Sequence, residues 1–376
     1  MGEVLTAGVT HYPPLLGPDE KMSWVLDWTL QDPDIPAEAK DPASWPAEMR
    51  AELGDDDGHA GAARHRDRLV SGFHAVRQAI DDFAPDVVVI WGDDQYENFR
   101  EDVIPAFAVL AYDDLTVTPW AAVPYRNVWG EPADTGFAVR GAPEIGRALA
   151  ADLLAQGFDI AYSYKPLNHP NLPHSFLNAL LLLDYDRRGF DYPVLPVSVN
   201  CYGRRVIGFK GGRSRFAQVG TPFDPPSPSP ARCMELGAAF ARAALASPWR
   251  VALVASSSWS HAFLTDHTWR LYPDIPADRR LFDAMVAGDA ELWRSTSLAD
   301  IEAAGQQEVL NWFCLVGATA ELGVKPTTAE LVETHAFNSN KVFAVYPPVA
   351  SSERVERADV TAATRTRPTS VSEEGP

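Results

Sequence analysis

The chain has few cysteines, a deficit of basic residues and no long apolar run. Its 376 residues include only three widely spaced cysteines, which excludes a disulfide framework and favours a reducing compartment. The 51 acidic residues outnumber the 32 basic ones, giving a net charge of −19, and this balance argues against binding to nucleic acid or an anionic membrane. No window approaches the roughly 18 apolar residues of a membrane-spanning helix, and the N-terminus lacks a signal-peptide pattern. We therefore expect a cytoplasmic protein with no nucleic-acid or membrane partner.

Short catalytic motifs are also missing from the sequence. It contains no HExxH, CxxC or GxSxG pattern. The glycine-rich stretch GFKGGRSR lacks the GxxxxGK[ST] pattern and the strand–loop–helix context of a phosphate loop. Function must therefore be inferred from where individual polar residues fall relative to the predicted strands.

Short valine-rich runs dominate what is present. Hydrophobic residues make up 46% of the chain, which is typical of a globular protein. Four apolar runs bounded by turn residues indicate buried strands of a largely parallel sheet, at 3–9, 87–91, 193–200 and 251–255. Helical spacing predicts helices that include 60–83, 231–246 and 298–322. The predicted fold is α/β, a single large domain over residues 1–350 with a central, mostly parallel or mixed sheet flanked by helices.

Two segments do not fit this alternation of strands and helices. Residues 17–58 are rich in Asp, Pro and Trp without clear periodicity, and we interpret them as an insertion that serves as a lid or as a subunit-contact surface. Residues 351–376 contain almost no large apolar side chain, so a disordered tail is predicted there.

Polar residues follow several of the predicted strands. His11 follows the first strand, Asp94 and Gln95 follow the second, and His261 follows the run at 251–255. His174 lies in a proline-rich loop beyond another strand. Because the carboxyl ends of parallel strands meet at one edge of the sheet, these side chains are predicted to converge. Histidine with carboxylate suits non-haem iron(II), manganese or zinc, and a histidine not bound to metal suits acid–base catalysis at neutral pH.

Further candidates lie near this predicted edge. His59 and His65 fall in the first turns of the helix after strand 1, and Asp274 follows His261 by thirteen residues. Tyr125 lies in a loop-like stretch that can line a pocket. A simpler structural interpretation stays open for the strand-end residues: His11 as an ordinary polar loop residue and His261 as a turn cap.

At this point the chain resembles a known family, the class III extradiol ring-cleavage dioxygenases of the protocatechuate 4,5-dioxygenase catalytic-subunit type. The resemblance extends over about residues 3–322 and rests on the order of these segments: GVTHYPPLL, PDVVVIWGDDQYENF, PHSFLNALLLL, YPVLPVSVN, PSPARCMELGAAFARA, VALVASSSWSH, ADRRLFDAM and GQQEVLNW. It implies an α/β fold with a central sheet, and Fe(II) held by two histidines and a glutamate. It also implies cleavage of a catechol beside its diol.

The resemblance assigns roles to three histidines. His11 matches the first iron histidine, His174 matches the acid–base histidine that takes a catechol proton, and His261 matches a histidine near the substrate. Asp94, Gln95 and Tyr125 are the expected substrate-binding residues.

Two positions depart from the family pattern. Gln95 stands where the second iron histidine belongs, so either Gln95 binds the iron weakly or through water, or a nearby histidine replaces it. His65 is favoured, with His59 next, because the start of their helix lies beside strand 1. Pro276 stands where the glutamate belongs, and Asp274 is the nearest carboxylate. The expected metal ligands are therefore His11, His65 and Asp274.

The expected function is an Fe(II)-dependent extradiol-type dioxygenase that acts with O₂ on a catechol or related phenol. A homo-oligomer is expected, because the family often assembles from several chains. The two departures motivate alternatives. One is an enzyme of the same fold with manganese, zinc or no metal, and the other is a non-catalytic partner subunit that has lost the iron site.

Overall fold

The computed structural model describes residues 2–121, 123, 126–210 and 224–351. Within this part of the chain, nine strands form the main sheet, in the spatial order β6-β3-β7-β2-β8-β1-β10-β9, with β11 also paired to β1. The strands are β1 (Glu3–Val9), β2 (Val87–Asp93), β3 (Phe107–Leu110), β6 (Ala161–Ser163), β7 (Val194–Val199), β8 (Arg250–Ser256), β9 (Thr328–Val332), β10 (Lys341–Val345) and β11 (Val349–Ala350), and a separate small sheet pairs β4 (Leu115–Val117) with β5 (Phe137–Val139). This confirms the predicted α/β fold.

The four central strands run parallel. β8 lies between β2 and β1, so that Ala255 is level with both Trp91 and Gly8, and β2 pairs on its other side with β7. The flanking pairs β3–β7, β1–β10 and β10–β9 are antiparallel, so the sheet is mixed. Parallel order at the centre brings the carboxyl ends of β1, β2 and β8 to one edge, as the sequence predicts.

Helices cover both faces of the sheet. They are α1 (Trp24–Thr29), α2 (Ala37–Lys40), α3 (Ala47–Leu53), α4 (His59–Phe83), α5 (Pro143–Ala155), α6 (His174–Leu183), α7 (Val206–Phe209), α8 (Pro230–Ala246), α9 (Ile275–Ala287), α10 (Ala290–Ser295), α11 (Leu298–Ala303) and α12 (Leu310–Leu322). Side chains alternate across a strand, so Val88 and Ile90 pack in the core layer with α4 and α6, whereas Val89 and Trp91 pack in the layer with α8 and α12. Among the described residues, no helix combines the length and the apolar character that crossing a bilayer requires.

Helices α8 and α12 approach each other at glycine. A Cβ at Gly237 would overlap the carbonyl oxygen of Cys314, and a Cβ at Gly317 would overlap that of Met234. Only hydrogen at both positions permits this separation. These contacts hold the middle of α12 against α8.

The predicted helix over 298–322 is interrupted. α11 ends at Ala303, the chain turns through Gly305 with φ of +68°, and a 3-10 turn over Gln307–Val309 leads into α12. The left-handed conformation at Gly305 ends the first helix, as glycine commonly does. The break redirects the residues between the two helices toward the ends of β1 and β2.

The segment 17–58 folds into short helices, α1 to α3, rather than one irregular loop. Trp24 and Val25 of α1 line the cavity at the carboxyl edge of the sheet. The role of this segment as a lid or subunit contact stays a prediction. The predicted disordered tail lies outside the described residues except for Ser351.

Candidate active site

Three acidic or imidazole side chains meet at the carboxyl edge of the sheet. His11 follows β1, Asp93 ends β2, and Glu308 lies in the turn before α12. His11 Nε2 is 3.4 Å from Glu308 Oε2 and 4.0 Å from Asp93 Oδ1. One ligand atom from each residue lies within 4.8 Å of the others, and all three residues are buried. The spacing suits a single cation held between the three side chains.

His11 presents a lone pair to this group. Its Nδ1 lies 3.0 Å from the carbonyl oxygen of Ser256, and since a carbonyl only accepts, Nδ1 carries the hydrogen and Nε2 does not. Burial, reinforced by the nearby His174 charge, lowers the pKa of His11 to about 3. A neutral imidazole oriented by a backbone carbonyl is the form that binds metal ions.

Glu308 has one satisfied and one unsatisfied oxygen. Its Oε1 accepts hydrogen bonds from Tyr202 Oη at 2.7 Å and from Gln95 Nε2 at 3.1 Å. Its Oε2 is buried, has no hydrogen-bond partner in the described part of the chain, and faces His11. Burial, together with the charge of Asp93, raises the pKa of Glu308 well above its usual range. A buried carboxylate oxygen needs a partner, and a cation at this point would supply it.

Asp93 completes the set. Burial raises its pKa, its Oδ2 accepts from Gln95 Nε2 at 3.0 Å, and its Oδ1 lies 3.5 Å from Asn311 Nδ2. Two carboxylates with one imidazole form a donor set that fits a divalent transition ion such as iron or manganese. The residues present therefore fit a metal site.

Gln95 lies at the site, as predicted, but acts as a hydrogen-bond donor between the two carboxylates. Its amide nitrogen contacts Asp93 and Glu308 and lies 3.5 Å from His174 Nε2. Asp94, its neighbour, turns away to accept three backbone N–H groups of residues 97–99, and burial raises its pKa to about 6. Asp94 thus shapes this turn, and its substrate-binding role stays a prediction.

The turn shaped by Asp94 places the carboxylate of Glu97 beside His174. Glu97 Oε2 lies 2.9 Å from His174 Nδ1, and Oε1 accepts the His174 backbone N–H at 3.0 Å. Burial opposes the charged imidazole, but Glu97 outweighs it and raises the pKa of His174 to about 10. The ring stands edge-on to His11 with centroids 5.1 Å apart and lines the cavity. The structure therefore favours the protonated form of His174 beside the candidate metal site.

His261 reaches the same place from the loop after β8. Its Nε2 is 3.5 Å from Glu308 Oε1, and its Nδ1 is buried without a hydrogen-bond partner among the described residues. Burial, with a contribution from His11, lowers its pKa to about 3. The structure thus brings together His11, Gln95, His174 and His261, the convergence that the strand ends predict.

Two predicted metal ligands, His65 and Asp274, and the alternative ligand His59 lie elsewhere. His65 Nε2 lies 2.9 Å from Lys341 Nζ, so the amine of Lys341 already occupies the ring nitrogen that would bind a metal. His59 begins α4 and lines a different cleft, beside Asp57. Asp274 caps α9 by accepting the backbone N–H of Ala277. His65 and Asp274 therefore lie apart from His11, and the carboxylates beside His11 are those of Asp93 and Glu308.

Tyr125 lies outside the described residues. Asp93, Glu97 and Glu308 were missed by the sequence reasoning. The signal for Glu97 was its place as the third acidic residue of the polar run DDQYEN. The signal for Glu308 was its place three residues after Gly305, a glycine able to end a helix.

The side chains face a cavity of about 180 Å³. His11, His174, His261 and Glu308 lie on its polar side, and Val206, Phe209 and Phe263 are among its apolar lining residues. A polar cluster beside apolar walls suits a ring that carries oxygen substituents.

A search against protein-family models finds no match. The chain is 30% identical over 136 residues to 2,3-dihydroxyphenylpropionate/2,3-dihydroxicinnamic acid 1,2-dioxygenase 2 of Pseudomonas putida, covering 36% of this chain and 37% of that protein. It is 25% identical over 190 residues to the 2,3-dihydroxyphenylpropionate/2,3-dihydroxicinnamic acid 1,2-dioxygenase of Photorhabdus laumondii, and this match covers 50% of this chain and 47% of that protein. It is 28% identical over 195 residues to the corresponding enzyme of Rhodococcus sp, and this match covers 52% of this chain and 49% of that protein.

The chain spans about half or less of the length of the curated relatives it matches. The matched relatives are described as 1,2-dioxygenases of dihydroxyphenylpropionate, and none of these three is described as a protocatechuate 4,5-dioxygenase.

Proposed function

We propose that the protein is a metal-dependent extradiol-type dioxygenase that opens a catechol ring with O₂. The observation that carries the proposal is the unpartnered, buried Glu308 oxygen facing the His11 lone pair beside Asp93. The similarity to dioxygenases of dihydroxyphenylpropionate supports a catechol as the substrate. In this reaction the bond beside the diol breaks, and both atoms of O₂ enter the product.

His11, Asp93 and Glu308 would hold the metal, with Fe(II) as the proposed ion. When bound, Fe(II) supplies open coordination positions for the two substrate oxygens and for O₂. Tyr202 and Gln95 hold Glu308 Oε1, so that Oε2 stays directed at His11. Outer partners of this kind orient ligands and strengthen metal binding.

His174 is the proposed proton carrier. Glu97 holds the Nδ1 side of the ring, which leaves Nε2 facing the cavity for exchange with a substrate hydroxyl. His261 lies on the other side of Glu308 and contacts the same cavity, where its neutral imidazole can accept a hydrogen bond from substrate. Assembly into a homo-oligomer remains a proposal from the sequence.

The test compares metal binding with oxygen uptake. The purified chain is loaded anaerobically with Fe(II), freed of excess metal, and given O₂ with 2,3-dihydroxyphenylpropionate and simpler catechols. We expect about one iron per chain, oxygen uptake that depends on catechol, and loss of both in Glu308→Gln. Glu291→Gln, which changes an exposed glutamate of α10, is the matched control and should retain both.

The same measurement separates the alternatives. Tight binding of zinc with no oxygen uptake would favour an enzyme with other chemistry on this fold. Failure to bind any divalent ion would contradict the proposal and favour a non-catalytic subunit.

A further inference from the structure

The cavity contains a cation that the proposed reaction does not use. Arg205 ends the 3-10 turn Gly203–Arg205, just before α7, and lines the cavity together with Val206 and Phe209. The same turn follows Tyr202, whose hydroxyl donates to Glu308. One short segment therefore contributes both to the metal-binding side chains and to another part of the cavity wall.

Arg205 has a buried nitrogen without a partner. Its Nη1 is buried and makes no hydrogen bond in the described part of the chain, and its guanidinium lies 5.7 Å from the centre of the Phe209 ring. The other cations of this segment are paired: Arg204 with Glu302 at 3.9 Å and Lys210 with Glu101 at 3.5 Å. A buried N–H donor without an acceptor costs free energy, so the Arg205 position favours a ligand that brings an acceptor.

The charges of the cavity indicate which kind of acceptor. Asp93 and Glu308 together offset the charge of a divalent ion, and Glu97 pairs with His174 at 2.9 Å. Arg205 then adds one positive charge to the lining, in a chain whose net charge is −19. A planar guanidinium matches a carboxylate through two parallel hydrogen bonds.

We propose that Arg205 binds the carboxylate of an acidic side chain on the aromatic substrate, and so selects anionic arylalkanoate catechols over neutral ones. The proposal rests on the proposed function for the identity of the ring, whereas anion recognition by Arg205 can be measured without turnover. Val206 and Phe209, which line the cavity beside Arg205, would contact the alkyl linker.

The first experiment measures binding to the purified full chain under nitrogen. Titration calorimetry compares 3-phenylpropionate with its neutral analogue 3-phenylpropanamide. Arg205→Gln should weaken binding of the carboxylate by about 10- to 100-fold, the range for a hydrogen bond to a charged group, and should change binding of the amide by less than about 2-fold. Arg205→Lys keeps the charge and should give an intermediate loss.

Arg204→Gln is the matched control, because Arg204 is the exposed neighbour on the same turn. It should leave the affinity for both ligands unchanged. An equal loss for carboxylate and amide in Arg205→Gln would show a merely structural role and overturn the proposal. Unchanged carboxylate affinity in Arg205→Gln would also overturn it.

The second experiment uses turnover and separates this proposal from the proposed function. In the Fe(II)-loaded protein, kcat/KM is compared for 2,3-dihydroxyphenylpropionate and its methyl ester. Arg205→Gln should reduce kcat/KM for the acid, mainly by raising KM, and should leave kcat/KM for the ester unchanged. Carboxylate-selective binding without turnover of either compound would support Arg205 and contradict the reaction. Turnover without any preference for the acid would support the reaction and overturn the role of Arg205.

Discussion

Two buried histidines, His11 and His65, occupy opposite kinds of environment. His11 shares its surroundings with two carboxylates, an unpartnered carboxylate oxygen and a cavity. His65 lies against Lys341, whose Nζ also donates to the Phe337 carbonyl oxygen at 3.0 Å and stands 3.6 Å from the centre of the Tyr12 ring. Burial lowers the pKa of both imidazoles, yet of the two only His11 has an environment that attracts a cation.

The difference shows that burial of a histidine does not by itself indicate a ligand. Burial lowers the pKa of His65 well below its usual range, and the Lys341 charge lowers it further. Burial likewise lowers the pKa of Lys341, against the opposing effect of Glu52. The His65–Lys341 pair is satisfied by its own hydrogen bonds, whereas the group around His11 includes a carboxylate oxygen of Glu308 without a partner among the described residues.

The largest expected effect comes from making the same substitution at both histidines. His11→Gln should abolish stoichiometric metal binding and reduce ring cleavage by more than about 100-fold, since loss of outer partners alone costs 10- to 100-fold. His65→Gln should keep both within about 2-fold of the unaltered protein. Metal analysis and oxygen uptake measure the two outcomes. Loss of metal in His65→Gln would contradict the conclusion that the His11 region binds the metal and the His65 region does not.

The second effect concerns the proton carrier beside His11. Glu97→Gln should lower kcat by about 10- to 100-fold at unchanged metal content, because proton transfer by a positioned side chain contributes about 100- to 10,000-fold. Glu97 raises the pKa of His174, so its removal should shift the basic limb of the kcat/KM profile to lower pH. Glu101→Gln, at an exposed neighbouring glutamate, is the control. An unshifted limb would argue against His174 as the titrating group.

The third effect is on the stability of the other region. Lys341→Met fills the space of the side chain but leaves His65 Nε2 without its donor and removes one of the two donors to the Phe337 carbonyl oxygen. The free energy of unfolding should fall by about 1–3 kcal/mol, measured by urea denaturation, with metal content unchanged. A gain in stability would mean that desolvation of the ammonium outweighs its hydrogen bonds.

The smallest effect is a change in pH dependence. The folded pKa of His65 lies well below its unfolded value of 6.5, so the stability from its neutral form is present above pH 6.5 and is lost as pH falls below it. His65→Gln should reduce the slope of unfolding free energy against pH by up to about 1.4 kcal/mol per pH unit just below pH 6. Denaturation of both proteins at a series of pH values measures the slopes. Equal slopes would show that His65 is already protonated in the fold.

Much of the site could be predicted from the sequence, because the sequence indicates where the strands end. Valine-rich runs identify the parallel strands, and His11, Gln95 and His261 follow those runs directly. Parallel order then requires their ends to share an edge. His174 was predictable as a polar residue at the start of an apolar helix, although its proton-carrying role stays a prediction.

The carboxylates of Asp93 and Glu308 could not be predicted in this way. Asp93 and Asp94 are adjacent, and the alternation along β2 decides which one turns toward α12. Asp93 shares the face of Trp91 and enters the site, while Asp94 binds the backbone of the following turn. Glu308 depends on the helix break at Gly305, which the continuous apolar pattern of 298–322 conceals.

The sequence by itself determined the α/β fold and which strand ends carry imidazoles, because both follow from local periodicity and from the residues beside each run. Tertiary structure alone decided which acids join His11 and which histidine is excluded. Those choices depend on contacts between residues up to 297 positions apart, such as His11 with Glu308 and His65 with Lys341. These distant partners decide whether a buried imidazole faces carboxylates that can hold a metal ion, as His11 does, or the amine of a lysine, as His65 does.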